Sequence, residues 1–203
     1  MITVSEWNQH RVLTGEHVRL EPLTPEHAKG LFEAGGDPAI WTWLSVRQPA
    51  DVAAAERLVE SVLADPDRKP WAQIDQRTGR VAGTTSYYQC VENHRILSIG
   101  HTWIGAQWQR TPLNTEAKLL LLRNAFETLN AQRVSWETDI RNLRSQRAIE
   151  RLGALREGVL RGHRIRPDGT SRDTVVYSML DTEWPAASER LTERLTGGTR
   201  LNQ

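Results

Sequence analysis

The stretch QRTPLNTEAKLLLLRNAF, Gln109 to Phe126, reads as a loop running into a helix. Leu119, Leu122, Phe126 and Leu129 recur at spacings of three, four and three, so they share one buried helical face. The loop half is less ordinary. Anion-holding loops ahead of helices are usually glycine-rich, and this chain has no glycine between Gly105 and Gly153. An anion needs donors and a positive end, and the free N–H groups at a helix start supply both. Pro112 removes one donor. Thr111, Leu113, Asn114 and Thr115 keep theirs, and Arg110 adds a cation suited to phosphate oxygens. Asn114, a favoured N-cap residue, is expected to start the helix. The plainer alternative is that Thr-Pro-Leu-Asn is only a helix-starting turn.

Outward from this stretch, elements alternate. Toward the N-terminus, a strand is expected over His17 to Leu23. A Thr24-capped helix follows, ending at Gly35-Gly36, and then an Asp51-capped helix stopped by Asp65-Pro66. Strands follow over Trp71 to Gln76, Arg80 to Cys90 and Ile96 to Ile104, joined by turn-rich links short enough for hairpins. Beyond the central helix come a strand from Arg133 to Ile140 and a short helix capped by Asn142 and ended by Gly153. Two strands, Leu155 to Arg166 and Arg172 to Leu180, then meet at Asp168-Gly169. From Asp181 the chain turns polar, and a short helix with a frayed end is expected, a polar tail from about residue 186. This order makes one mixed α/β domain over residues 1–203, with helices connecting strands of a central sheet.

With 203 residues the chain can bury a core, and its net charge of +1 argues against a nucleic-acid binder working by bulk electrostatics. The single cysteine, Cys90, excludes an intrachain disulfide and is expected to be a buried, inert thiol. No stretch has the apolar length of a signal peptide core or a membrane span, which points to a soluble cytoplasmic protein. His10, His17, His27, His94, His101 and His163 form no spaced ligand cluster, so no metal is expected.

Three stretches, SIGHTWIGAQWQRTPLNTEAK, TDIRNLRSQRAIERLGALREGVLR and RDTVVYSML with EWP just after, together with the order of elements, resemble the GNAT acyltransferases. More narrowly they resemble the RimJ/RimL-type N-acetyltransferases, over about Val18 to Pro185. The resemblance implies a mostly antiparallel central sheet with splayed middle strands and helices on both faces, and acetyl-coenzyme A as co-substrate. Its pyrophosphate would rest on the loop from Gln109, which matches the family pattern. Pro112 and Asn114 stand where that pattern has glycine and a small residue. Asn142 would bind the pantetheine arm. Ser145 would lie near the thioester sulfur as hydrogen-bond donor, since Ile149 occupies the position where many of these enzymes carry an acidic tyrosine.

The general base is left open among three residues. The family's strand glutamate is replaced by Ser98, a poor base by itself. His101 has a suitable ordinary pKa but alternates onto the other strand face unless a bulge turns it, and Glu137 is the third candidate. Trp41, Trp43 and Tyr177 are candidates to line an aromatic acceptor pocket, with ordinary packing as the alternative. The expected activity is acetyl transfer to a primary amine, either a protein N-terminus or a small aminoacyl-type or antibiotic amine, by direct attack in a ternary complex. A catalytically silent module that binds coenzyme A or an acyl ligand as a sensor is the rival. A homodimer is permitted by the polar tail but not required.

Overall fold

The computed structural model describes residues 5–199. Eight strands form one sheet: β1 (Leu13–Thr14), β2 (Val18–Pro22), β3 (Arg68–Asp75), β4 (Val81–Val91), β5 (Ile96–Ile104), β6 (Arg133–Asp139), β7 (Leu155–Ile165) and β8 (Ser171–Leu180). Their order is β1-β2-β3-β4-β5-β6-β8-β7, and all neighbours are antiparallel except β5 and β6. The parallel pair follows from the connection: α3 (Pro112–Arg123) carries the chain back from the end of β5 to the start of β6. The remaining helices are α1 (Ala28–Ala34), α2 (Val52–Leu63), α4 (Leu143–Glu150) and α5 (Trp184–Thr199).

Strand alternation splits the sheet into two unlike faces. On one, the partnered residues Tyr87 and Ile99, Leu97, Val134 and Met179, and Trp136 and Tyr177 are buried with Leu119, Leu122 and Phe126 of the central helix. Ile149 and Leu152 join the same core from the α4 side. On the other face, Leu31 and Val59 of α1 and α2 cover Ala72 and Ile74, a smaller second core. These two helices stop short of the middle of the sheet. The row of partners Arg68, Tyr88, Ser98, Ser135 and Ser178 crosses that uncovered part.

Most expected elements stand within a few residues of their predicted bounds, and two differ in kind. The central helix continues past Arg123 through a π turn at Asn124–Thr128, where the Tyr87 hydroxyl donates to the Leu121 carbonyl just upstream. The expected short helix is longer than read: α5 runs from Trp184 to Thr199, and the frayed end expected after it falls at residues 200–203, outside the described residues. Trp184, Ala187 and Leu191 are buried at three-four spacing, and the Trp184 ring stacks on Phe126 at 5.5 Å. The polar majority of the tail masked this apolar stripe. Among the described residues no helix is long and apolar enough to cross a membrane.

Candidate active site

The parallel strands β5 and β6 pair only at their beginnings, Ile96 with Arg133, Leu97 with Val134 and Ser98 with Ser135. Beyond that rung they part, so Ile99 to Ile104 has no ladder partner on the β6 side. The two hydroxyls of the last rung meet at 2.7 Å, and Ser98 also donates to Gln89 Oε1 at 3.1 Å. Ser98 is buried and committed to closing the ladder where the opening begins. Both α3 and α4 start at the far ends of these strands, so two helix N-termini stand at the mouth of one gap. Open sheets with parallel strands bind ligands at such carboxyl ends.

A bulge in β5 shapes one wall. Thr84 pairs with Trp103 and Ser86 with Gly100, so Thr85 alone faces both His101 and Thr102. His101 absorbs the extra residue in the left-handed region, at φ 51°. The bulge thus brings the imidazole to the Tyr88 ring, edge-on at 5.1 Å, on the uncovered face. Tyr88 fills the space above Gly100, where an added Cβ would come within 2.7 Å of its ring. The His101 side chain remains open to solvent, yet lost hydration and the Arg68 guanidinium push its pKa down to about 4. It is therefore neutral at pH 7, and the same shift makes it a weaker base than an ordinary imidazole.

Glu137 lies two residues beyond Ser135, on the same face, inside the opening. Its carboxylate accepts a hydrogen bond from Arg164 Nη2 at 3.0 Å. Tyr88 was not among the sequence candidates. Burial first, and the Glu137 charge second, push its phenol up to about 12, so it stays protonated and can donate. The register of the β4–β5 hairpin was the available signal, because it sets Tyr88 opposite Ser98.

At the helix start the structure corrects one expectation. Thr111, not Asn114, is the N-cap of α3: its hydroxyl accepts from the Leu113 N–H at 3.4 Å and donates to the Trp108 carbonyl at 2.7 Å. Pro112 is therefore the first helical residue, where its missing N–H costs nothing. Asn114 falls in the first turn, and its buried Oδ1 has no hydrogen-bond partner among the described residues. Thr115 follows in the same turn. Arg110 is exposed at φ 63°, and Gln109 folds back to donate to the Ile104 carbonyl at 3.3 Å. A helix start with first-turn amides, an exposed guanidinium and an orphaned amide oxygen, set beside a gap in the sheet, fits a pyrophosphate bearing a long polar arm.

Asn142 caps α4 by accepting the Ser145 N–H at 3.0 Å. Ser145 is half-buried, and its hydroxyl has no partner among the described residues. Ile149 is buried in the core and does not face the opening. Tyr177 is fully buried on the face opposite Glu137, and its hydroxyl is held by Glu150 at 2.9 Å. Trp41 packs against Trp103 at 5.2 Å, and its indole N–H donates to the Gly35 carbonyl at 2.8 Å, while Trp43 is exposed. Ser98, His101 and Glu137 thus share one face of the sheet, with Ser98 engaged by Gln89 and Ser135. The hydroxyl of Tyr177 and the ring of Trp41 are committed to packing elsewhere.

Known proteins share this architecture. The sequence model of the acetyltransferase (GNAT) domain matches residues 17–155. A "putative acetyltransferase" from T. thermophilus is 43% identical, with 93% of this chain and 99% of that one covered and a TM-score of 0.85. A GCN5-related N-acetyltransferase from Brucella melitensis is 33% identical, covering 92% and 86%, with a TM-score of 0.89. The curated Bacillus subtilis (strain 168) protein named "Putative ribosomal N-acetyltransferase YdaF" is 27% identical over 83% of this chain and 94% of its own. Acetyl-coenzyme A is the acyl donor of that family. The chain belongs to the GNAT family of N-acetyltransferases and is an acyltransferase.

Proposed function

We propose that the protein transfers the acetyl group of acetyl-coenzyme A to a primary amine by direct attack in a ternary complex. The acceptor is a protein N-terminal amine or a small aminoacyl-type or antibiotic amine. The observation that carries this reading is the parting of β5 and β6 beyond the Ser98–Ser135 rung, with the starts of α3 and α4 at its mouth. Acetyl-coenzyme A supplies the thioester. The first-turn amides of α3, with Arg110, hold the pyrophosphate, and Asn142 orients the arm between the strands. Unpaired backbone N–H groups of β5 beyond the rung stabilise the oxygen that gains charge when nitrogen attacks the carbonyl carbon.

The acceptor enters from the uncovered face, where Glu137 or neutral His101 takes the proton released by the attacking nitrogen. The carbon–sulfur bond then breaks, and a donor hydroxyl returns a proton to the departing thiolate. Ser145, whose hydroxyl has no other partner among the described residues, is assigned that role.

Two measurements test this. In isothermal titration, Arg110→Glu should weaken acetyl-coenzyme A binding about tenfold, because an attractive charge becomes a repulsive one near the phosphates. Unchanged affinity would remove the loop from the site. In a thiol-release assay, Ser145→Ala should lower kcat by about 10- to 100-fold while leaving coenzyme affinity within about twofold. Full turnover by that variant would assign the donor elsewhere, with Tyr88 the next candidate.

A further inference from the structure

Lys118, in the middle of α3, is 6% exposed, and among the described residues no carboxylate oxygen lies within 4.0 Å of its nitrogen. The side chain reaches across to the sheet instead. Its nitrogen donates to Thr102 Oγ1 at 2.6 Å and to Thr85 Oγ1 at 2.9 Å. The two hydroxyls also bond each other at 2.8 Å, and Thr102 Oγ1 donates to the Gly100 carbonyl at 3.3 Å. A lysine so placed costs stability, because no opposite charge returns the hydration its ammonium loses. Residues that work against stability commonly serve a site.

The two threonines are the two sides of the β5 bulge. Thr85 alone faces both His101 and Thr102. It stands two residues before Tyr87, whose hydroxyl reaches the Leu121 carbonyl of α3, so Thr85 points to the α3 face as well. Of the two residues opposite Thr85, Lys118 holds Thr102 to that same face by its hydroxyl. His101 is left to turn toward the Tyr88 ring, edge-on at 5.1 Å. A residue other than glycine stays at φ 51° only where its surroundings hold it there. The bonds among Lys118, Thr85 and Thr102 are such a hold. The bulge also lies beyond the Ser98–Ser135 rung, on the part of β5 that borders the opening.

We propose that Lys118 is a positioning residue for acetyl transfer. By pinning Thr85 to Thr102 it fixes the bulge, and through the bulge the His101 imidazole and the strand edge beside the opening. This rests on the acetyl-transfer reading above and adds to it a residue that touches neither substrate. In Lys118→Met the bond between the threonines remains but both bonds from the lysine are gone, so the fold is kept while the bulge loosens.

The test reads position and turnover separately. The His101 imidazole signals are compared by NMR in the parent and in Lys118→Met, assigned by their absence from His101→Gln. They should move or broaden in the methionine variant, and identical signals overturn the proposal. Coenzyme A affinity, by isothermal titration, should stay within about twofold, since the first turn of α3 is untouched. A larger loss would put Lys118 in the coenzyme site and overturn the positioning role.

Thiol release from acetyl-coenzyme A is then measured with L-phenylalaninamide and with an unblocked alanyl peptide as the amines. In Lys118→Met kcat should fall about 10- to 100-fold, with KM for acetyl-coenzyme A little changed. Urea unfolding of the same variant separates this from damage to the fold, because the loss is expected without a loss of stability. Thr102→Val, which removes the hydroxyl that the lysine holds, should lose a similar factor, and the double variant no more than either single one. Full turnover by Lys118→Met, or losses that multiply in the double variant, overturns the proposal. No turnover of either amine by the parent overturns the acetyl-transfer reading for these acceptors, and the NMR comparison still decides whether Lys118 holds the bulge.

Discussion

Glu116→Ala should cost about 4 kcal/mol of folding stability, the largest loss expected from a single side chain outside the hydrophobic core. Glu116 is buried in the second turn of α3, and its two oxygens accept the backbone N–H groups of Glu16, His17 and Val18 at 2.9, 2.6 and 2.8 Å. The carboxylate thereby ties the start of β2 to the helix whose first turn faces the opening. Gly15 allows the approach, since a Cβ there would lie 2.3 Å from Glu116 Cδ. Without the carboxylate, water can reach the amides of exposed Glu16 and half-buried His17, but Val18 is fully buried and its N–H is left orphaned. Hydrogen bonds to a charged acceptor contribute about 1.5–3 kcal/mol each, so a partly rehydrated set of three gives the estimate. Glu116→Gln, which retains one acceptor oxygen, should lose about half as much. Urea unfolding measures both, and a loss below ~1 kcal/mol for the alanine variant would show that the tether is dispensable.

Lys118→Met should act in the opposite direction. Lys118 is buried on α3, and its ammonium donates to Thr85 Oγ1 at 2.9 Å and Thr102 Oγ1 at 2.6 Å. Both threonines belong to the bulge that carries His101. Burial alone pushes its pKa from the ordinary 10.5 to about 7. Below pH 7 the amine is charged in both folded and unfolded chains, and the full cost of burying the charge is present. Between about 7 and 10.5 the unfolded chain holds the extra proton, so stability rises with pH across that window, and above it the cost is gone. The methionine variant has no such charge and leaves Thr85 and Thr102 to bond each other, as they do at 2.8 Å. It should therefore be more stable than the parent at pH 6 by about 2–5 kcal/mol, with the gap closing toward pH 10. Denaturant unfolding at pH 6, 8 and 10 checks the sign and the slope. A parent protein that is the more stable of the two at pH 6 would mean the ammonium is compensated by a partner that the threonines do not represent.

Legibility in the sequence followed the range of the physical cause. The Leu119, Leu122, Phe126 and Leu129 stripe, the Asn142 cap and the Asp168-Gly169 turn are set by neighbours within a few residues, and each stands as read. The start of α3 was not legible, because proline at the first helical position and a capping asparagine two residues after it are both acceptable beginnings. Trp108 decided between them, by offering its carbonyl to Thr111.

The sequence by itself determined the succession of strands and helices from β2 to β8, the buried face of the central helix, and the family resemblance that made an acetyl-coenzyme A site the expectation. These depend on period, caps and turns, which act within one element. Tertiary structure alone decided that β5 and β6 part after Ser98, that the bulge turns His101 toward Tyr88, and that Tyr88 of β4 stands opposite Ser98 of β5. Each of these depends on the register between strands far apart in the chain, where a one-residue shift would send every side chain to the opposite face.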